Sequence, residues 1–274
     1  MFRKSAIGVF FCFITVFTTT NKYNNSPSSF IICDKIKLMK ILAFDTSNQP
    51  LTVSLAENNS VKNVFTTNVA RNHSIQLLPA IRDIVASENW ALQDIDRVVV
   101  AQGPGSFTGL RIGVTVAKVL ADTLDAELCG VSSLAILAEQ VKADGLVVPL
   151  FNARNRNVFA GVYQNGVSIF AESHQPITNL FAFLESKDAP ITFLGDTSEF
   201  SDEMQTLFGE RAKILSPEES LPDGVGIVTL GLQETPTENI QDFNPNYLRK
   251  TQAELNWIAA HPGEDKPENY VFEI

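Results

Sequence analysis

After residue 38 the apolar and polar positions alternate between two periods. Residues 40–44 form a short apolar run that stops at Asp45-Thr46-Ser47, and Leu51, Val53 and Leu55 alternate with polar neighbours, the period of a half-buried strand. Asn58-Asn59 marks a turn, and residues 61–66 return as the next strand. The period then lengthens. Leu77, Leu78, Ile81, Ile84 and Val85 fall at helical spacing, with Asn72 or Ser74 placed to cap the helix and Pro79 placed to kink it. Residues 98–101 are continuously apolar, as in a strand covered on both faces. They run into Gly103-Pro104-Gly105-Ser106-Phe107-Thr108-Gly109, after which Leu110, Val114, Ala117, Ala121 and Leu124 mark one face of a long helix. Residues 128–131 give another strand, and Ser132 is the cap of a helix predicted to reach Lys142.

The second half repeats the plan. Residues 146–151 read as a strand ending at Asn152-Ala153-Arg154. Val158, Ala160 and Val162 alternate with their neighbours, Asn165-Gly166 is a strong hairpin turn, and residues 167–170 return. Helices are predicted over 177–186 and 199–208, with a strand over 191–195 between them. Residues 217–222 form a loop, and 226–232 precede a polar stretch to Asn244. Two halves that each set a strand hairpin before helices predict a duplicated α/β architecture.

The first 38 residues differ. They carry Arg3, Lys4, Lys22, Lys35 and Lys37 against one acid, Asp34, whereas the other 236 of the 274 residues hold 16 basic and 30 acidic side chains. A basic start followed by the apolar run 6–17 resembles a secretory signal, but 12 residues are too few to span a bilayer and no small-x-small cleavage site follows. The alternative is a start at Met39, which opens directly into the first strand. Cys12 and Cys33 also lie in this segment, so the body keeps one cysteine, Cys129, as suits a reducing compartment. The acidic body argues against stand-alone nucleic-acid binding, because that affinity comes mostly from cations on phosphates.

Candidate chemistry is sparse. Gly103 and Gly109 have five residues between them and no Lys-Ser/Thr follows, so there is no Walker A loop. No Gly-x-Ser-x-Gly elbow surrounds Ser106, and the three histidines, His73, His174 and His261, show no metal-binding spacing. His73, at a helix start, reads as a structural hydrogen-bonder or a ligand contact. Ser106 and Thr108 either cap the long helix or bind an anion at its N-terminus. Asp45, Thr46 and Ser47 are ordinary turn formers that could also hold a metal-bound phosphate. Arg111 pairs with a nearby acid or reaches a partner. Gly109, Gly113 and Ala117 form a small-residue ladder, suited either to packing on its own sheet or to close contact with a second subunit.

Residues 39–47, 102–113 and 244–249 together resemble the TsaB (YeaZ) family, most specifically in Gly103-Pro104-Gly105-Ser106-Phe107-Thr108-Gly109-Leu110-Arg111-Ile112-Gly113. His73-Ser74, Leu78-Pro79, Ala153-Arg154 and residues 245–249 extend the likeness from Met39 to about Trp257, leaving the extension outside it. The resemblance implies an actin/Hsp70-like (ASKHA) α/β fold of two ribonuclease-H-like lobes. It sets a first, partner-binding lobe at 39–143, a second at 144–235, a segment packing back at 236–258 and a flexible tail at 259–274. It implies kinship with TsaD, the transferase that places a threonylcarbamoyl group on the adenosine at position 37 of tRNAs reading codons that begin with A. The His-x-x-x-His metal pair of TsaD falls here on Ser133 and Leu137, so no catalytic or metal residue is expected. The expected role is a dimerisation and scaffold subunit that binds TsaD, in a complex that includes the ATPase TsaE. Docking is expected through helices 74–88 and 108–124, with His73, Leu77, Leu78, Ile81, Gly109, Arg111, Ile112, Gly113 and Val116 at the interface. The resemblance further implies no cofactor of its own, ATP or ADP at most where subunits meet, homodimerisation when TsaD is absent, tRNA contact only through the complex, no membrane and a cytoplasmic setting. One departure is Asn152 where the family turn reads Asp-Ala-Arg. Asn keeps the turn and loses the charge, which weakens the competing reading of a kinase-like ATPase of the same fold. A metallopeptidase is a third reading, disfavoured by the missing ligands.

Overall fold

In the computed structural model, residues 15–20, 27–32, 38–68, 72–249, 257, 260 and 261 are described. The basic start, Cys12, Cys33 and the tail beyond His261 lie outside them. The chain divides into two units, Met1–Leu38 and Met39–Ile274. In the first, β1 (Thr15–Thr20) pairs antiparallel with β2 (Pro27–Ile32), with Thr15 opposite Ile32 and Thr20 opposite Pro27. The sequence reading assigned no strand there, although the run of Thr, Val and Phe in β1 is rich in β-formers.

The second unit contains two five-stranded sheets of the same design. β3 (Lys40–Asp45), β4 (Leu51–Glu57) and β5 (Ser60–Thr67) form an antiparallel meander, and β6 (Arg97–Gly103) and β7 (Glu127–Ser132) add parallel to it, in the order β5-β4-β3-β6-β7. The second sheet orders β8 (Leu146–Asn152), β9 (Asn157–Gln164), β10 (Val167–Pro176), β11 (Ile191–Gly195) and β12 (Ala212–Ile214) as β10-β9-β8-β11-β12. Read from the first strand of each lobe, the two orders are the same, and the parallel members in both are the fourth and fifth strands. The duplication expected from periodicity is therefore present, on the two-lobed actin-like plan. At the β9–β10 turn, Asn165 and Gly166 both take positive φ (53° and 76°), the geometry that makes this dipeptide a hairpin signal.

Helices cover the sheets in layers. α1 (His73–Ser87) and α2 (Phe107–Leu124) lie on the outer face of the first sheet, burying Leu77, Ile81, Val114 and Ala117 against Phe44, Val53 and Val100. Each such large side chain contributes about 1.5–3 kcal/mol on full burial. α4 (Ile177–Glu185) and α5 (Ser201–Phe208) cover the second sheet with Leu180, Phe181, Met204 and Phe208. Between the sheets sit α3 (Ser133–Glu139) and α6 (Val225–Gln233). Ile136 of α3 joins the inner face of the first sheet while Leu134 and Leu137 join that of the second. Residues 225–233, grouped with the second lobe on sequence, pack on the first sheet, where Ile227 and Val228 meet Ile41, Ala43 and Val99. α3 ends at Glu139, three residues short of Lys142, where the chain tightens and the Val141 amide donates to the Ala138 carbonyl at 3.1 Å. Among the described residues no helix is long and apolar enough to cross a membrane.

The segment after α6 returns across the first lobe. The Thr237 amide donates to the Leu128 carbonyl at 2.8 Å, the Asn246 amide to the Gln102 carbonyl at 2.8 Å, and the Gln102 side chain to the Asn244 carbonyl at 2.6 Å. Phe243 is buried in the same core as α1 and α2.

Candidate functional site

The glycine-rich stretch after β6 is built around the end of β3. Ser106 caps α2, its hydroxyl accepting from the Gly109 amide at 3.3 Å, and its own amide donates to the Ser47 carbonyl at 2.6 Å. The Thr46 hydroxyl donates to the Gly109 carbonyl at 2.8 Å. A Cβ on Gly109 would lie 2.0 Å from the Thr46 carbonyl oxygen, and one on Gly113 2.4 Å from the Thr46 hydroxyl. The small-residue ladder thus serves close packing of α2 on its own sheet. Gly109 and Gly113 are buried, as are Leu77 and Ile81, so four of the nine residues expected at an interface point inward. The physical reason is that both helices spend these positions on the core under them.

The other five stand differently. Leu78 is 54% exposed, Arg111 is exposed, and His73, Ile112 and Val116 are half-buried. Ile75 (72%), Phe107 (41%) and Val119 (59%), which the sequence reading did not single out, are exposed on the same two helices. Their signal lay in the pattern itself, since an apolar residue off the buried stripe has no core to serve. Among the described residues Arg111 meets no acid, and it stays exposed. Its guanidinium lies 4.2 Å over the Phe107 ring and donates to the Tyr247 hydroxyl at 3.2 Å, while the Phe107 and Tyr247 rings stack at 4.8 Å. His73 donates through Nε2 to the Gln49 carbonyl at 3.1 Å and so links α1 to the loop after β3.

A cleft of about 180 Å³ lies where the lobes face each other, bordered by Asp45, Asn48 and Gln49 on one side and Gly195, Asp196 and Phe151 on the other. Burial pushes the Asp45 carboxyl above the usual carboxylate range, against hydrogen bonding from Ser47 and the charge of His73. Burial also raises Asp196, against hydrogen bonds from the Asn152 amide and the Asn48 side chain. Neither acid faces a lysine or arginine among the residues bordering the cleft. Of the four residues considered for phosphate, Thr46 and Ser47 are wholly buried and Ser106 is occupied as a cap, which leaves Asp45 at the cleft. Asp196 was missed on sequence because its place opposite Asp45 is a long-range fact.

The strand ends of the two lobes share one turn. The Ser47 amide donates to Asp45 Oδ1 at 2.7 Å, and the Arg154 amide to Asn152 Oδ1 at 2.8 Å. Asn152 keeps the turn without the charge, and its amide nitrogen donates to Glu199 at 2.5 Å, a bond that an aspartate could not make. Ser133 and Leu137 lie one helical turn apart on α3, both buried, with Leu137 bordering the cleft. A leucine offers no ligand atom, so this pair has no means of gripping an ion. Among the described residues no group of three or more His, Cys, Asp or Glu side chains is placed to hold a metal.

Residues 61–257 match the family model described as TsaD, tRNA N6-adenosine threonylcarbamoyltransferase. The tRNA threonylcarbamoyladenosine biosynthesis protein TsaB of Bacillus subtilis is 37% identical over 228 residues, covering 81% of this chain and 99% of that protein. The chain belongs to the TsaB family. The solved YeaZ of Pseudomonas aeruginosa is 26% identical with a TM-score of 0.63, covering 77% of this chain and all of that one. Another P. aeruginosa structure, titled as an uncharacterized protein with similarity to peptidase YEAZ, is 27% identical with a TM-score of 0.66 over the same shares. The TsaB family thus accounts for the body of the chain, and the family name places it in tRNA threonylcarbamoyladenosine biosynthesis.

Proposed function

We propose that this chain is a non-catalytic subunit of the machinery that forms threonylcarbamoyladenosine at position 37 of tRNAs reading codons that begin with A. It docks on the transferase TsaD through the outer face of α1 and α2 and supports it, within a complex that also takes the ATPase TsaE. The observation that carries this reading is the set of exposed apolar side chains on those helices, Ile75, Leu78, Phe107 and Val119, with half-buried Ile112 and Val116. Exposed apolar patches of this kind mark protein-interaction surfaces. The Phe107–Arg111–Tyr247 stack adds a held cation and two aromatic rings at one end of the face, residue types that dominate interface energetics.

The cleft supports the non-catalytic half of the proposal. Among the described residues no lysine or arginine borders the cleft to take a nucleotide's phosphates directly, and its second-lobe turn carries the neutral Asn152. Any ATP or ADP therefore belongs where the subunits meet, and tRNA reaches the complex mainly through TsaD, since the acidic body repels phosphate. Without TsaD, the same apolar face suits a second copy of this chain. A reducing, cytoplasmic setting fits Cys129, which is free and buried with its thiol pushed up mainly by burial.

The test is reconstitution. The purified chain alone modifies no tRNA and turns over no ATP, and restores modification when added to TsaD, TsaE and a source of threonylcarbamoyl-adenylate. No gain on addition overturns the proposal. Magnesium-dependent ATP turnover by the chain alone, abolished by Asp45→Ala, would instead favour a kinase-like enzyme.

A further inference from the structure

The cleft between the lobes is acidic on both of its sides. Asp45 comes from the end of β3 and Asp196 from the residue after β11, and both border the same cavity of about 180 Å³. Asp45 is only 4% exposed. Its Oδ1 accepts from the Ser47 amide at 2.7 Å, and Asp196 Oδ2 accepts from the Asn152 amide at 3.1 Å, so both have neutral donors. Buried acids are ordinarily paired with a cation or a metal. Among the described residues no lysine or arginine borders this cavity, and the imidazole of His73, near Asp45, spends Nε2 on the Gln49 carbonyl. A third acceptor points the same way. Ser220 borders the cavity, is 7% exposed, and its hydroxyl oxygen makes no hydrogen bond within the chain. Such a group is rare in a folded protein and marks a place where something else supplies the bond.

The chemistry of the border selects the ligand. Two carboxyls and a hydroxyl that accept call for donors and positive charge, and an ammonium carries three N–H donors and no acceptor. Leu137, Phe151 and Leu221 make much of the remaining border apolar, which suits a hydrocarbon stem better than the hydration shell of a divalent ion. The cavity is also smaller than the roughly 300–1,000 Å³ of a drug-sized site, so its ligand has few heavy atoms. We propose that this cleft binds a small primary alkylammonium, whose N–H groups donate to Asp45, Asp196 and Ser220 while its stem lies against Leu137 and Phe151. The site takes this cation whichever partner covers the outer face of α1 and α2, so it stands or falls apart from the docking surface.

Calorimetric titration of the full chain with butylammonium chloride, at about 0.15 M salt, tests it. One saturable site is expected, with 1-butanol, the uncharged molecule of the same shape, binding at least about tenfold more weakly. Asp196→Asn should weaken the amine about tenfold. Ser220→Ala should weaken it about threefold and leave the melting temperature unchanged, since that hydroxyl has no bond in the chain to lose. The absence of saturable binding overturns the proposal, as does butanol binding equally well or an amine affinity that neither substitution changes. Magnesium that displaces the amine, and is itself lost in Asp196→Asn, would overturn it by assigning the two acids to a metal. Binding that appears only with Arg71→Ala, three residues beyond Asn68 in the sequence, would overturn it too, since the chain would then fill the cleft with its own cation.

Discussion

The two lobes share a strand order and an end-of-strand turn, yet they finish their outer faces differently. On the first lobe, α1 and α2 leave Ile75, Leu78, Phe107 and Val119 exposed. On the second, the outer helices α4 and α5 expose one large apolar side chain, Leu207 at 43%. Each sheet has its own buried core beneath these helices. The difference shows that a duplicated fold can keep one copy closed and leave the other ready to be covered. The strand ends diverge in parallel: the first lobe keeps a buried aspartate, Asp45, where the second has a neutral Asn152 tied to Glu199.

Four experiments would break or sharpen this contrast. The largest effect is expected from Gly109→Val, because its Cβ would sit 2.0 Å from the Thr46 carbonyl oxygen. Urea unfolding should show a loss of about 3 kcal/mol; a neutral result would free the ladder for an outside partner. Next is Leu78→Asp on the exposed face of α1. Calorimetric titration with TsaD should show about thirtyfold weaker binding, roughly 2 kcal/mol, with the melting temperature unchanged. Retained affinity would move the docking face elsewhere.

A smaller change is expected from Asp45→Asn. Burial raises this carboxyl in the folded state, so its contribution is fully present below the unfolded value near 3.8 and is lost as pH rises through the folded one. Asparagine keeps the acceptor for the Ser47 amide and removes the ionisation. The variant should therefore lose less stability than the parent between pH 4 and neutrality, measured by denaturation across that range. An identical pH profile would show that Asp45 is not desolvated. The smallest effect belongs to Leu207→Asp on the second lobe, which should alter both stability and TsaD binding by less than about 0.5 kcal/mol. A large loss of binding there would erase the contrast between the faces.

Most strands of both sheets were legible in the sequence, because alternation and apolar runs report burial directly. β12 escaped, since three residues carry no period. β10 was read too short because register shifts at Ser168/Phe170 and Phe170/Ser173 interrupt its alternation. The site was harder. The Gly109 ladder announced a close approach without saying to what, and the answer, Thr46, lies 63 residues away. Arg111 was expected to meet an acid or a partner; within the chain it lies on Phe107 and Tyr247, the latter brought in by a segment 136 residues downstream. The link between lobes in which Ser132 and Tyr163 both donate to Glu172 had no local signature at all.

The placement of α6 bears on how the polypeptide is made. Ile41, Ala43 and Val99 are translated early, but the helix that shields them, Val225–Gln233, emerges more than a hundred residues after Val99. Synthesis at about 5–20 residues per second leaves that hydrophobic surface bare for several seconds or longer. The front lobe is therefore finished last, and a message truncated before codon 225 would yield a protein that chaperones hold rather than one that folds.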